Sequence, residues 1–336
     1  MKGFGYIFRR LVALIPVTLG VLIIVFVIGR IVPADPLSFF IGQEADAELI
    51  ERIRNELHLD EPLWTQFYYY VQDILNGSLG MSWSTRNPVS KDLMEKLPAT
   101  FELILVSLIV TVVIAIPLGV IGAVKRDSVT DHFTRIVSLS GVSMPGFWVG
   151  LLLIFFLYYL LGWTPPPMGR IKMGLSVERV TGFYLIDTLL AGDLEAFGSV
   201  CLYLISPVSA IAFRQLAQLT RLVRSTMIEV LNSDYIQAAR SQGLRSRMIN
   251  YRLALKNAML PPVTQIGLIA GNLIGVAVII EIVFAWPGAG SWAVDAALAG
   301  DFAPVQAFAV IAAIARVLIF LVADIAYTKL DPRITF

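Results

Sequence analysis

Residues 103–124 read LILVSLIVTVVIAIPLGVIGAV, a run of twenty-two residues without a charged side chain. A helix rises about 1.5 Å per residue and the hydrocarbon core of a bilayer is about 30 Å thick, so about 20 apolar residues are enough to cross it. The run therefore predicts a membrane-spanning helix. Its proline, Pro117, is compatible with that prediction, because neighbouring helices can satisfy the carbonyl that a proline frees.

Five further runs have similar length and few charges, at residues 11–32, 136–161, 200–219, 261–280 and 302–327. The first of them follows two arginines, as a signal peptide does, but it is long and ends without a small-residue cleavage site, so we interpret it as a retained anchor. Arg214 interrupts the run at 200–219, and the last run contains Arg316 and Asp324. The sequence predicts an all-α integral membrane protein with six transmembrane helices.

The composition agrees with this fold class and excludes several functions. Of the 336 residues, 57% are hydrophobic and 15% are charged, and the mean hydropathy is +0.75. The net charge of +1 provides no basic excess for neutralising phosphates, so nucleic acid is excluded as a partner. One cysteine and two histidines are too few for an intrachain disulfide or for a haem or zinc centre. We expect no metal and no cofactor in this chain.

The distribution of Lys and Arg orients the predicted helices. With the amino terminus inside, the inner segments hold fifteen of these residues and the outer segments hold eight. Because positive residues accumulate on the cytoplasmic side, both termini are predicted to be cytoplasmic. Seven of the inner basic residues lie between residues 221 and 256, where we expect them to attract anionic membrane lipid.

The inner segment between the fourth and fifth predicted spans contains the sequence DYIQAARSQG at residues 234–243. Asp234 is suited to cap a helix, and Gln237 can reach back from the third helical position. Gly243 can adopt the left-handed conformation that ends a helix. These features predict a helix of about two turns.

One face of this short helix carries small side chains. Tyr235, Ala238, Ala239 and Gln242 follow the i, i+3, i+4, i+7 spacing. The two alanines present almost no side chain, so another surface can approach the backbone closely. Such a face suits docking to a partner. The alternative is a connecting helix whose alanines serve only helix propensity.

The segment resembles the signature of the permease subunits of bacterial ATP-binding-cassette (ABC) importers, a cytoplasmic Glu-Ala-Ala-x-x-x-Gly. Residues 237–243 match that signature with Gln237 in place of Glu. Asp234-Tyr235 and the sequence LKNAMLP at residues 255–261 resemble the peptide and nickel branch of the family. Further motifs resemble its B-type permease: LDEP at 59–62, GSLGMS at 77–82, EIVFAWPGAG at 281–290 and LDPR at 330–333.

This resemblance implies the type I ABC importer permease fold. Residues 1–95 would hold the first transmembrane helix and a periplasmic segment, and residues 96–330 the permease domain. Residues 234–243 would be the coupling helix, which contacts the ATPase subunit through Asp234, Tyr235, Gln237, Ala238, Ala239 and Gly243. The implied location is the bacterial inner membrane, and the implied cargo is di- or oligopeptides, with nickel and glutathione as alternatives within the family.

The resemblance also implies partners. These are a second, homologous permease of C-type, two cytoplasmic ATP-binding subunits and an extracytoplasmic substrate-binding protein. The sequence contains no Gly-x-x-x-x-Gly-Lys phosphate-binding motif, so we expect ATP and Mg²⁺ on the ATPase subunits and no catalytic residue here. The rival interpretation is a channel or secondary transporter that acts without ATP.

Four residues are candidates for the translocation pathway or its gate: Ser143, Met144, Glu281 and Arg316. Met144 precedes Pro145, which breaks the helical hydrogen bonding and suits a hinge or a constriction, with an ordinary proline kink as the alternative. A charge inside a span costs roughly 2.5 to 3.5 kcal/mol, so Glu281 and Arg316 should face protein or water. Paired structural charges at subunit contacts are the alternative for these two.

Overall fold

The computed structural model describes residues 18–27 and 61–330 and the positions 12, 15 and 16, except for the side chains at 130, 133, 137, 139, 140, 142, 324 and 326–330. The first predicted span, 11–32, is described only in part, at positions 12, 15, 16 and 18–27. Both termini, whose cytoplasmic position stays a prediction, lie outside the described residues, as do parts of the motifs at 59–62 and 330–333.

Helices dominate the described part of the chain, where the only β-type pairing is a single bridge between Met81 and Pro88. The helices of eight or more residues there are α1 (Thr18–Val27), α2 (Leu63–Leu75), α3 (Val89–Val124), α4 (Val129–Ser143), α5 (Gly146–Leu153), α6 (Tyr184–Ala191), α7 (Leu194–Leu231), α8 (Asp234–Ser241), α9 (Leu260–Val283), α10 (Ala289–Leu298) and α11 (Phe302–Leu330). A π-helical stretch, Ile154–Leu160, continues α5. Short helical turns over residues 246–258 form what we term the 246–258 segment.

Four of the described helices are long and apolar enough to cross a membrane: α3, α7, α9 and the part of α11 over Phe302–Ala323. They confirm the predicted spans at 103–124, 200–219, 261–280 and 302–327. Both α3, with 36 residues, and α7, with 38 residues, are longer than the apolar runs that predicted them. The total of six transmembrane helices stays a prediction.

The third predicted span, 136–161, is interrupted. Helix α4 ends at Ser143 and α5 begins at Gly146, with Pro145 between them at φ −62° and ψ 139°. Proline lacks a backbone N–H and disfavours the helical conformation of the residue before it, so the helix stops ahead of Met144. The predicted break at Met144 and Pro145 is therefore confirmed.

The described contacts divide the chain into two compact units. The first comprises Met1–Ala99 and Pro287–Ala315, and the second comprises Thr100–Trp286 and Arg316–Phe336. The core of the first unit is built from buried apolar residues of α3, α10 and α11, namely Val89, Leu93, Ala289, Trp292 and Ala307.

A buried carboxylate fixes the turn that leads into α3 in the first unit. The Oδ2 atom of Asp301 accepts hydrogen bonds from the Ser82 hydroxyl (2.7 Å) and from the Trp83 N–H (2.8 Å). It also accepts from the Ser84 N–H (3.1 Å) and hydroxyl (3.0 Å). Because Asp301 directly precedes α11, these bonds hold the 82–84 turn beside the start of that helix.

In the second unit, glycines bring the neighbouring helices close to α7. A Cβ atom added at Gly119 of α3 would lie 2.6 Å from the Cβ atom of Val223, and one added at Gly141 of α4 would lie 2.7 Å from that of Ala217. Packing and not the hydrophobic effect drives helix association in lipid, and glycines permit the closest packing. The positions of α3 and α4 against α7 therefore depend on these two glycines.

A buried ion pair holds the segment between the end of the π-helical stretch and α7. Arg170 Nη2 donates to Glu102 Oε2 (2.5 Å) and to the Gly182 carbonyl (3.0 Å), while the Leu185 N–H donates to Glu102 Oε1 (2.8 Å). The two charged side chains are only 6% and 2% exposed. Glu102 of α3 thus anchors both the loop that contains Arg170 and the start of α6.

A second carboxylate organises the same segment. Asp187 accepts hydrogen bonds from the N–H (2.8 Å) and hydroxyl (2.6 Å) of Thr181 and from the N–H of Gly182 (2.8 Å). Burial raises the pKa of Asp187, but these hydrogen bonds lower the pKa by more, so it lies below the ordinary value. The turn before α6 is therefore built around an ionised carboxylate.

We predict that Gly119→Ala destabilises the protein. The added methyl group would overlap the side chain of Val223 and would also approach the Thr220 carbonyl to 2.9 Å. Overpacking of this kind costs about 1 to 3 kcal/mol. The measurement is the midpoint of thermal unfolding in detergent, followed by tryptophan fluorescence.

The matched control is Gly275→Ala in α9, where an added Cβ atom meets nothing within 4 Å. Since alanine has the higher helix propensity, this variant should be as stable as the unmodified protein or slightly more so. Equal midpoints for the two variants would show that α3 and α7 are not in close contact at Gly119.

Candidate functional site

The segment between α7 and α9 forms the helix that the sequence predicts. Helix α8 covers Asp234–Ser241, two turns, and its N-cap residue is Ser233. The Ser233 hydroxyl donates to the Val230 carbonyl (2.6 Å), and no side chain caps the helix. The expectation that Asp234 caps α8 is therefore corrected: Asp234 is the first helical residue, where its negative charge interacts favourably with the helix dipole.

The predicted capping box is absent: Gln237 is the fourth helical residue, and its Nε2 donates to the Asn232 carbonyl (3.3 Å) instead of accepting from the N-cap N–H. The other end of α8 is formed as the sequence predicts. Gly243 has φ 77°, and its N–H donates to the Arg240 carbonyl (2.9 Å) while the Leu244 N–H donates to the Ala239 carbonyl (3.3 Å). This pair of bonds is a Schellman motif, which requires a left-handed residue that glycine supplies without strain.

The exposed face of α8 differs from the predicted one. Ile236 is 0% exposed and Ala239 is 7% exposed, because α8 packs against the end of α7 and the π-helical part of the 246–258 segment. Ala239 therefore faces its own chain and is not available to a partner. Tyr235 and Arg240 are exposed at the edges of the helix, and the exposed residues between them form what we term the outer face of α8: Asp234, Gln237, Ala238, Ser241 and Gln242.

Tyr235 lies at the edge of the outer face. Its side chain is exposed, and its hydroxyl accepts a hydrogen bond from Asn257 Nδ2 (2.8 Å). Asn257 belongs to the 246–258 segment. This bond and the burial of Ile236 fix the orientation of α8, so the outer face is presented by a rigid helix.

A partly buried ion pair connects the end of α7 to the start of α4. The Asp131 carboxylate accepts from Arg224 Nε (2.6 Å) and Nη2 (2.7 Å), a two-point contact. It also accepts from the N–H of Asp127 (3.0 Å), a residue whose φ is 61°. The Arg224 guanidinium and this N–H outweigh burial and lower the pKa of Asp131 from 3.8 to about 2.

Comparison with known proteins identifies the family. Residues 115–336 match the sequence profile of binding-protein-dependent transport system inner membrane components, and residues 3–104 match the N-terminal profile of the same components. The chain belongs to this family. It is therefore a multi-pass protein of the bacterial inner membrane and a permease subunit, a transport component and not an enzyme.

Relatives of this permease match over nearly the whole chain. It is 42% identical to the probable D,D-dipeptide transport system permease protein of Escherichia coli K12, with 97% of this chain and 96% of the relative covered. It is 39% identical to the di/tripeptide transport system permease protein of Pseudomonas aeruginosa, with 98% of both chains covered. The oligopeptide transport system permease protein of Bacillus subtilis is 35% identical, with 99% of both covered.

The structure places the four pathway candidates of the permease on different helices with different contacts. Ser143 is exposed and Met144 is half-buried at the break between α4 and α5. Glu281 in α9 is 0% exposed and accepts a hydrogen bond from the Thr100 hydroxyl (2.5 Å). Arg316 in α11 is exposed and donates to Asn272 Oδ1 (3.0 Å).

These contacts indicate different roles for the two charged candidates, Glu281 and Arg316. Glu281 is enclosed by its own chain, which favours the structural interpretation for this residue. The Arg316 guanidinium also lies over the Phe320 ring, at 5.6 Å from its centroid. Because an exposed arginine on an apolar helix is costly in lipid, Arg316 is the better candidate for a surface that a partner or the pathway covers.

The sequence did not identify the pair of Asp131 and Arg224 in this permease. The two residues are 93 positions apart, and Arg224 was one of many basic residues in the inner segment. A signal existed, since Asp131 lies just ahead of an apolar run and requires a cationic partner there. Within the described residues, no three His, Cys, Asp or Glu side chains lie close enough to hold a metal ion.

We predict that Asp131→Asn destabilises the permease in a pH-dependent way. Because the pKa of Asp131 is lowered in the fold, its stabilising contribution is complete above pH 3.8 and is lost as the pH falls through about 2. At pH 7 the loss should be about 3 kcal/mol, the usual effect of removing one partner of a buried pair. The difference in unfolding midpoint between variant and unmodified protein should narrow below about pH 4.

Asp127→Asn is the control, because the Asp127 side chain is 68% exposed and only its N–H contacts Asp131. This variant should unfold like the unmodified permease at every pH. A difference between Asp131→Asn and the unmodified permease that stays constant down to pH 3 would contradict the assignment.

Proposed function

We propose that this chain is the B-type permease subunit of an ATP-driven importer of di- and oligopeptides. It would form half of the translocation pathway, with a second, homologous permease as the other half. Two cytoplasmic ATPase subunits would bind ATP and Mg²⁺, and an extracytoplasmic binding protein would deliver the peptide. The relatives that match over nearly the full length, named for dipeptide, di/tripeptide and oligopeptide transport, support this cargo.

The observation that carries the proposal is the outer face of α8. It is polar around the small side chain of Ala238, and the helix that presents it is fixed by the buried Ile236 and by the hydrogen bond from Asn257 to Tyr235. A small residue at the centre of an exposed helix face allows close approach of another protein backbone. A channel or a secondary transporter has no need of such a helix.

The geometry also supports a route for the motion. Helix α8 comes after α7 with only two residues between them, and Arg224 in the last two turns of α7 is clamped to Asp131 at the start of α4. A push on α8 by the closing ATPase subunits would therefore move α7 and α4 together. Repacking of these helices would convert an outward-facing cavity into an inward-facing one.

Selection of the peptide is assigned to the binding protein, and the permease supplies the pathway. Glu281 is hydrogen-bonded inside its own unit, so we do not assign it a contact with cargo. Arg316 is exposed and positively charged, which suits a subunit contact or the carboxylate of a passing peptide. Nickel chelates and glutathione are the alternative cargoes, and an ATPase assay with each cargo separates them from peptides.

We predict that Ala238→Arg abolishes peptide uptake without loss of membrane insertion. The long, charged side chain would stand at the centre of the outer face of α8 and prevent close approach of the ATPase subunit. Ala238→Ser keeps the side chain small and should retain most of the uptake. The measurements are uptake of labelled dipeptide and the amount of ATPase subunit that co-purifies with each variant.

Normal uptake by Ala238→Arg would contradict the assignment of the outer face. The choice of Ala238 is dictated by the structure: Ala239→Arg would force a charge into a site that is 7% exposed, and its loss of uptake would report misfolding. Membrane insertion of both Ala238 variants is checked by their yield and unfolding midpoint.

We predict that the complex purified with this chain hydrolyses ATP in lipid and that a peptide-loaded binding protein increases the rate several-fold. The assay compares dipeptide, longer peptide, nickel chelate and glutathione, each with the binding protein. Stimulation by one peptide class supports ATP-driven peptide import. A chain that purifies without ATPase subunits and still passes solute down its gradient would replace the proposal with the channel or secondary-transporter interpretation.

A further inference from the structure

A cavity of about 520 Å³ lies where the end of α3, the end of α7, the end of α8 and the start of the 246–258 segment meet. Its polar lining is cationic and amide-bearing, without a carboxylate: Arg126, Asn232, Arg240, Ser246 and Asn250. Apolar residues such as Val124 and Ile228 complete the wall. The cavity therefore combines two positive charges, several hydrogen-bond donors and an apolar side.

Neither arginine of this cavity has a buried carboxylate as a partner among the described residues. The nearest carboxylate to Arg126 is that of the adjacent Asp127, at 3.5 Å, and both side chains are more than half exposed, so the pair contributes little. No carboxylate of the described part of the chain lies within ion-pair distance of Arg240. Asp131, the other acidic side chain nearby in sequence, is already bound to Arg224 on both of its oxygens.

The cavity adjoins the inner end of a predicted span. Val124, which lines the cavity, is the last residue of the uncharged run at 103–124. Just beyond the hydrocarbon core and the glycerol esters of a bilayer lie the phosphates of its lipids, so anionic phosphate esters are abundant near this end of the span.

We propose that the cavity binds the headgroup phosphate of an anionic phospholipid. Arg126 and Arg240 would contact the phosphate oxygens through their planar guanidinium groups, and the side chains of Asn232, Ser246 and Asn250 would donate to the remaining headgroup oxygens. Val124 and Ile228 would contact the glycerol and the first carbons of the acyl chains.

The position of Arg240 on α8 separates this site from the outer face. Residues two apart on a helix point in different directions, so Arg240 faces away from Ala238. It lies one turn after the buried Ile236, and although it is exposed it lines the cavity. A lipid bound there would connect α8 to the ends of α3 and α7 and would leave the outer face open to an ATPase subunit.

The experiment measures lipid binding by the whole complex without ATP. The complex is placed in nanodiscs of phosphatidylcholine with about 20% phosphatidylglycerol, enough to give the anionic surface that basic residues attract. Native mass spectrometry then counts the phosphatidylglycerol molecules that remain bound after release from the disc. The test variant is Arg126→Gln with Arg240→Gln. The matched control is Arg247→Gln with Arg252→Gln, which removes two exposed charges from the same inner segment but does not line the cavity.

The expected result is retention of phosphatidylglycerol by the unmodified complex and by the control variant. The test variant should retain about tenfold less, since it loses both charge-assisted contacts to the phosphate. Equal loss in the two variants would overturn the proposal in favour of general attraction to the basic segment. Absence of any preference for phosphatidylglycerol in the unmodified complex would also overturn it.

Two further arms identify the source of the ligand. In the first arm, inorganic phosphate is added at millimolar concentration to complexes in phosphatidylcholine alone. If phosphate raises the unfolding midpoint of the complex and phosphatidylglycerol does not, the site binds free phosphate and the proposal is overturned. Loss of ATPase subunits from the test variant in phosphatidylcholine alone would show that an acidic protein surface fills the cavity, and would overturn it too. Because the experiment measures bound lipid, it tests the lipid site independently of whether the permease imports peptides.

Discussion

The close approach of α7 to its neighbours is the constraint on which the second unit depends. Gly119 of α3 and Gly141 of α4 leave no room for a Cβ atom against Val223 and Ala217. In lipid the apolar side chains of separate helices gain nothing by leaving the solvent, so the contact must come from packing. Packing therefore fixes the position of α7, and α7 in turn fixes the position of the helix that follows it.

The helix that follows α7 is α8. Two residues separate it from α7, and the ion pair of Arg224 with Asp131 prevents the end of α7 from moving independently of α4. The outer face of α8 is therefore held at a defined place relative to two membrane helices. A permease needs this rigidity if force applied outside the membrane is to move helices inside it.

The sequence predicted those features that depend on local patterns. Apolar length located four spans, and Gly243 located the end of α8. It did not predict that Ala239 is buried, because the i, i+3, i+4 spacing groups residues on one face but does not tell which faces meet the rest of the chain. The partner of Asp131 was also out of reach, since 93 positions along the chain separate it from Arg224 and only the fold brings the two together.

The connections between the spans are stabilised by buried charged residues and not by close helix packing. Asp301, Asp187 and Glu102 are nearly fully buried. Asp301 and Asp187 each accept backbone N–H groups of an irregular segment, and Glu102 accepts the Leu185 N–H in the first turn of α6 and the Arg170 guanidinium of the loop before it. Such segments lack the internal hydrogen bonds of a helix, and a carboxylate can satisfy several N–H groups at once. The spans are thus positioned by small residues, and the connections between them by buried acidic residues. A substitution that removes either kind of contact should therefore affect stability before it affects transport.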